Sequence, residues 1–191
     1  MLQSTLQSLR ALIVFTVITG IAYPLIVTGI AQVAFNDKAN GSLILQNNKI
    51  LGSSLIGQPF SDPKYFWSRG SGTSPQPYNG ASSSGANLGP TNPALKEAIE
   101  GRVKALRDAG ADPAKPVPAD LATASGSGLD PHISPAAAEY QIPRVAKARS
   151  IPEEKLKELV RKHIEGRQLG ILGEPRVNVL RLNLALDSLS K

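Results

Sequence analysis

The chain has 191 residues, a formal net charge of +6 and no cysteine. Without cysteine there is no disulfide, thiolate metal site or cysteine nucleophile, and two histidines alone are too few for a structural zinc site. The positive charge is dispersed. Its densest group, Lys155, Lys157, Arg161, Lys162 and Arg167, is interleaved with Glu153, Glu154, Glu158 and Glu165, the pattern of a solvated helix face and not of a nucleic-acid surface.

Residues 1–10 read as a short polar leader, too small to fold. Ala11–Phe35 follows with no charged side chain, between Arg10 and Asp37-Lys38. At 1.5 Å per residue a helix over this run measures roughly 37 Å, enough to cross a ~30 Å hydrocarbon core with some tilt. In lipid a helix satisfies nearly all its own backbone hydrogen bonds. Gly20, Pro24 and Gly29 suit a span better than an exposed soluble helix, and Gln32 lies where it can reach the interface. A buried core helix seldom stays apolar on every face over such a length. The run also exceeds the apolar core of a cleaved signal peptide, about 7–15 residues. A retained single-pass transmembrane helix is expected over 11–35. Arg10 and the amino terminus, set against Asp37, Lys38 and Lys49, lean towards a cytoplasmic N-terminus.

Residues 36–191 read as one soluble domain of the α+β class (mixed α/β). Leu43-Ile44-Leu45 and Ile50-Leu51 flank Asn47-Asn48, a pair tolerant of positive φ, which suggests a β-hairpin. Tyr65-Phe66-Trp67 is the main aromatic cluster, core by default and an exposed partner patch otherwise. Residues 70–93 are largely Gly, Ser, Pro, Asn and Ala, a linker or long loop. Asn92 and Pro93 then start a helix with an apolar stripe at Leu95, Ile99, Val103 and Leu106. A second Pro/Gly/Ser-rich loop spans 111–131. Ser134-Pro135 opens a short Ala-rich helix that Pro143 interrupts or ends. Ser150 and Glu153 predict a capping box for a helix with Leu156, Leu159, Val160 and Ile164 on one face. Alternation through Val177–Leu184 suggests a late strand, and Leu184–Leu189 a short terminal helix.

Motifs for chemistry are sparse. No Gly-Lys pair exists for a Walker A loop, Gly126-x-Gly128 lacks the third glycine of a dinucleotide fingerprint, and there is no Gly-x-Ser-x-Gly elbow. His163, four residues beyond Leu159, reads as a satisfied boundary histidine. The densest polar constellation is Ser125, Ser127, Asp130 and His132. A Ser/His/Asp triad is conceivable there, but members so close in sequence struggle to reach one another. A brace for a tight Gly/Pro turn is the alternative, a partner or ligand contact another.

At this constellation the chain resembles a known family. Pro118-Ala119-Asp120-Leu121-Ala122-Thr123-Ala124-Ser125-Gly126-Ser127-Gly128-Leu129-Asp130-Pro131-His132-Ile133-Ser134-Pro135 is similar to the signature block of the KdpC family, a component of the bacterial Kdp potassium-transporting P-type ATPase. Gly52–Gln58, Tyr65–Arg69, Asn87–Pro93, Gln141–Ala146 and Leu172–Leu180 resemble the same family in order. The resemblance implies a non-catalytic subunit of an ATP-driven potassium uptake complex in the bacterial inner membrane. Its partners would be the ATP-hydrolysing, the potassium-binding and the very small single-span subunits of the Kdp complex, together with membrane lipid, and K+ would be the transported ion. The N-terminus would be cytoplasmic and residues 36–191 periplasmic. The expected role is to stabilise the complex and cap the outer side of the potassium-binding subunit, with neither catalytic residue nor bound metal. Candidate partner contacts are Tyr65, Phe66, Trp67, Arg69, Asp130, His132 and Arg144. The alternative that the family suggests is a catalytic chaperone raising the ATP affinity of the hydrolysing subunit, with Ser83, Ser84, Gly85, Asn87 and Gln141 as nucleotide contacts and ATP as the ligand.

Overall fold

The computed structural model describes residues 2–189, and the chain divides into two units, Met1–Ile50 and Leu51–Lys191. In the first, helix begins at Leu2: α1 (Leu2–Val17), a π-helical turn (Ile18–Ala22) and α2 (Tyr23–Ala34) run on as one helix of 33 residues. At 1.5 Å per residue it is about 50 Å long, long and apolar enough to cross a membrane. The segment 1–10, expected to be an unfolded leader, is thus its first turns among the described residues. No Gly or Pro precedes Gly20, so nothing stops helix from propagating outward. The π-turn has a local cause. Pro24 brings no N–H for the preceding turn and its ring crowds the carbonyl four residues back, and the wider turn relieves this, with Tyr23 N–H bonding Ile18 O. At the far end Asn40 Nδ2 donates to Gln32 Oε1 at 3.2 Å and to Asn36 O at 2.8 Å, so polar side chains finish the helix. A turn of helix, α3 (Asn36–Ala39), follows. Then β1 (Leu43–Gln46) and β2 (Lys49–Ser53), whose last three residues already belong to the second unit, form the expected hairpin, turned by Asn47 and Asn48, both at positive φ.

The second unit is built from α4 (Pro93–Asp108), the short α5 (Ala119–Ala122), β3 (His132–Ile133), α6 (Pro135–Arg149), α7 (Glu153–Lys162), β4 (Ile164–Glu165), β5 (Arg176–Asn178) and α8 (Val179–Leu189). Its sheet is antiparallel in the order β3-β5-β4, with Ile133 and Ile164 both opposite Val177. The core lies where α6, α7 and α8 meet that sheet: Phe66, Ile142, Val145, Leu156, Val160, Val177, Leu182 and Leu186 are fully buried. Mixed helix and sheet behind one apolar helix is the fold class the sequence implied.

Three local expectations are corrected. Pro143 neither ends nor interrupts α6. The lost hydrogen bond is outweighed by burial of residues on both sides of it, Ala137 to Ala146. Ser150 does not cap α7 but closes α6 in the left-handed region, φ +54°, and Pro152 fills the N-cap position of α7. The late strand stops at Asn178. That side chain accepts the Arg181 N–H at 3.1 Å, an N-cap that turns the alternating sequence into α8.

Candidate functional site

The segment Asp62–Gly70 has no regular structure of its own, yet two side chains supply what a neighbouring strand would. Phe66 N–H donates to Asn183 Oδ1 at 2.9 Å and Asn183 Nδ2 returns a bond to Phe66 O at 2.9 Å. On the other side, Trp67 N–H donates to Gln141 Oε1 at 2.7 Å and Gln141 Nε2 donates to Trp67 O at 3.1 Å. A carboxamide carries the donor and acceptor of a peptide group. Successive residues of an extended chain present them to opposite sides, so α8 and α6 hold one backbone stretch between them. Gln141 (0% exposed) and Asn183 (2%) are buried.

Two arginines of α6 complete the clamp. Arg144 (3% exposed) donates to Pro63 O at 2.5 Å and to Gln141 Oε1 at 2.6 Å, and its guanidinium lies 4.7 Å from the Trp67 ring centre. Burial pushes its pKa down to about 10 against the opposing pull of Asp62 and Tyr140, because carbonyls and a π face stand where a carboxylate would. Arg149 donates to Lys64 O at 2.8 Å, pairs with Asp187 Oδ1 at 2.6 Å and covers Tyr65 at 4.8 Å. Tyr65 OH donates to Asp187 Oδ2 at 3.1 Å.

From Arg69 the contacts pass to the sheet. Arg69 Nη1 donates to Asp130 Oδ2 at 2.9 Å, and Asp130 Oδ1 accepts the His132 N–H at 2.9 Å and lies 3.3 Å from His132 Nδ1. Burial pushes the Asp130 carboxyl up, but the His132 and Arg69 hydrogen bonds win and hold it below the ordinary range. His132 Nε2 is 3.9 Å from Glu165 Oε2, which also accepts from Arg176 Nε at 3.1 Å. No described hydrogen bond joins either serine hydroxyl to His132. Ser127 Oγ accepts the Leu129 N–H at 3.1 Å and Ser125 Oγ is buried without a partner. The arrangement is a braced turn, not an assembled triad.

The two Gly/Ser/Pro loops lean on each other. Ser125 N–H donates to Gly70 O at 2.9 Å, Ser84 N–H to Ser127 O at 3.0 Å and Ser83 Oγ to the same oxygen at 3.0 Å. A Cβ at Gly85 would stand 2.6 Å from Gly126 O, and one at Gly128 2.5 Å from Ser84 O. These glycines permit backbone-to-backbone contact. Of the proposed nucleotide contacts, Ser83, Ser84 and Gly85 therefore sit in the loop-to-loop seam and Asn87 is exposed beyond it. Gln141 lies in the core, where it makes four hydrogen bonds: two with Trp67, one to Ala137 O at 3.2 Å and one from Arg144. Of the proposed partner contacts, Phe66 and Arg144 are buried, while Tyr65, Trp67, Arg69, Asp130 and His132 are half-buried. A cavity of about 130 Å³ beside Trp67, lined also by Arg102, Leu106 and Leu121, is small against the 300–1,000 Å³ typical of ligand sites.

Comparison with known proteins decides the lineage. The family model KdpC, described as "K+-transporting ATPase, c chain", matches residues 5–188. The chain belongs to this family. It is 59% identical over 187 residues to the potassium-transporting ATPase KdpC subunit of Sorangium cellulosum, covering 98% of each chain. It is 61% identical over 176 residues to that of Paraburkholderia phytofirmans, covering 92% of each. With that of Methylococcus capsulatus it shares 60% over 182 residues, 95% of this chain and 96% of the relative.

In this member of the K+-transporting ATPase c-chain family, sequence reasoning overlooked Asn183, Arg149 and Asp187. A signal for Asn183 exists: it shares the helical spacing of Val179, Leu182 and Leu186, an amide inside an apolar face. Read as strand alternation, that spacing was hidden. Arg149 and Asp187 carry no comparable mark, because their pairing across 38 positions exists only in the fold.

Proposed function

We propose that this chain is a non-catalytic accessory subunit of an ATP-driven potassium uptake pump in the bacterial inner membrane. It works beside three other pump components, one that hydrolyses ATP, one that binds potassium and one very small single-span chain. Residues 11–35 span the membrane, residues 1–10 face the cytoplasm and residues 36–191 stand in the periplasm, where they cap the outer side of the potassium-binding subunit and stabilise the assembly. The observation that carries this reading is how the polar side chains are used. Gln141, Asn183, Arg144 and Asp130 are all committed to this chain's own backbone or to a neighbouring side chain, which suits a rigid scaffold better than a reacting site. A nucleotide bound at Gln141 would have to strip that amide from Trp67 and leave a buried backbone pair unsatisfied.

Topology tests it directly. The chain has no cysteine, so Ser4→Cys and Ser82→Cys can be probed singly on intact cells with a membrane-impermeant thiol reagent. Labelling at Ser82→Cys alone is the expected outcome. Labelling at Ser4→Cys alone reverses the orientation and removes the periplasmic cap.

A further inference from the structure

The cavity of about 130 Å³ beside Trp67 takes one wall from the clamped segment, one from Ala105 and Leu106 of α4 and one from Leu121 of α5. Too small for a drug-sized ligand, it comes close to the engineered core cavity of roughly 150 Å³ that takes up benzene. Among the described residues, Arg102 is the one charged side chain lining it. The lysines of the same helix are matched, Lys96 by Glu100 and Lys104 by Asp108, each four residues on. Arg102 has Ala98, Ile99, Ala105 and Leu106 at helical spacing instead.

What holds the guanidinium is backbone. Arg102 Nη1 donates to Ala122 O at 3.2 Å, and a Cβ at Gly70 would stand 2.6 Å from Arg102 Cζ and 2.8 Å from Nη2, so only glycine lets the head come in. Burial pushes the Arg102 pKa down, and the Tyr78 phenol alone pulls against it. Nε and Nη2, which share the other edge of the guanidinium, have no acceptor among the described residues. Two parallel N–H groups on one edge match the two oxygens of a carboxylate. A dianion such as phosphate would need more donors than one guanidinium in an apolar wall supplies. Water fits poorly as well, since it wants two to four polar partners.

We propose that this cavity binds a small monocarboxylic acid, whose ring-sized apolar body fills the space between Trp67, Leu106 and Leu121 and whose carboxylate takes the Nε/Nη2 edge of Arg102. The site goes beyond the accessory-subunit reading and does not depend on it. A bound acid bridges α4, of whose residues Leu106 alone is fully buried, to the segment that Gln141 and Asn183 hold.

Trp67 is the chain's one tryptophan, so its emission reads this cavity. The full-length chain in detergent is titrated with cyclohexanecarboxylate, with cyclohexylmethanol as the uncharged counterpart and with acetate as the charge without the body. The acid should give a saturable change in emission, bind about ten-fold or more tighter than either control, and raise the denaturation midpoint as its concentration rises. Arg102→Leu should bring the acid down to the affinity of the alcohol. Ala105→Phe, at an exposed position that leaves Arg102 in place, should remove binding of both. No saturable change, or binding undiminished in Ala105→Phe, overturns the site. Equal affinity for the acid and either control, or an acid affinity unchanged in Arg102→Leu, overturns the carboxylate assignment. Tighter binding of N-acetylleucine than of cyclohexanecarboxylate overturns the free acid in favour of a polypeptide C-terminus.

Discussion

α4 and α6 are nearly equal in length, 16 and 15 residues, and differ in almost everything else. α4 carries each mark of a helix. Asn92 accepts the Ala94 N–H at 3.0 Å, Pro93 fills the first turn, an apolar stripe repeats at helical spacing and Arg107 sits in the last turn. Yet among its residues Leu106 alone is fully buried. α6 has a proline in its middle and little amphipathic pattern, and it buries Ala137, Ala138, Gln141, Ile142, Arg144, Val145 and Ala146. Local signals decide where a helix begins, while tertiary burial decides what the fold rests on. In α6 the buried face is partly polar because a second segment, Asp62–Gly70, takes its backbone hydrogen bonds from it.

The largest effect should come from cutting that link. Gln141→Ala strands the Trp67 N–H and carbonyl and removes one of Arg144's acceptors, at about 1–3 kcal/mol for each buried group left unpaired. A loss of roughly 3–5 kcal/mol is expected from urea unfolding of the full chain in detergent, and near-UV circular dichroism should report a displaced Trp67. Asn183→Ala strands Phe66 in the same way from α8 and should cost about 2–4 kcal/mol. If either variant unfolds like the parent, the clamp does not hold the segment.

On α4 the expected losses are smaller. Asn92→Ala removes the cap and should cost about 1 kcal/mol. Leu95→Ala, on a half-exposed turn, should cost less than a fully buried leucine, for which about 2–5 kcal/mol is usual. A Leu95→Ala loss equal to that of Gln141→Ala would erase the contrast between the two helices.

The contrast also explains what could be read in advance. The apolar run before Phe35, the Asn47-Asn48 hairpin and the start of α4 are written in local composition, and each formed. The continuation of α6 through Pro143 and the switch from β5 to α8 at Asn178 depend on contacts with residues far away in sequence. So does the clamp. The family resemblance alone marks Gln141 and Arg144 as ligand or partner contacts, and Asn183 is not marked at all. What none of the three signalled was that their common target is a backbone stretch roughly 70–120 positions earlier. The Gly/Ser loops looked like linker for the same reason. Their order comes from one loop meeting the other through Gly85, Gly126 and Gly128, and composition cannot report a pairing.

The smallest effect is a pH dependence, and it sets the foot of α6 against the surface of α4. Asp130, just before β3, is held below the ordinary carboxylate range by His132 and Arg69 even though burial pushes the other way. A carboxyl whose pKa is lower in the folded chain than in the unfolded one, about 3.9, stabilises the fold at any pH above the unfolded value. That stability drains away as pH falls through the folded value. Unfolding midpoints measured from about pH 5 down to about pH 2 should therefore drop. Asp130→Asn should lower the midpoint at about pH 5 and flatten part of the fall below it. The control lies on α4, where Lys104 and Asp108 form an ion pair with side chains 76% and 62% exposed. Exposed pairs of this kind contribute little, so Asp108→Asn should leave the acid limb of the curve in place. If the two substitutions act alike, Asp130 is one more surface carboxylate. If only Asp130→Asn flattens the curve, the contact from Arg69 through Asp130 to β3 holds the clamped segment against the sheet.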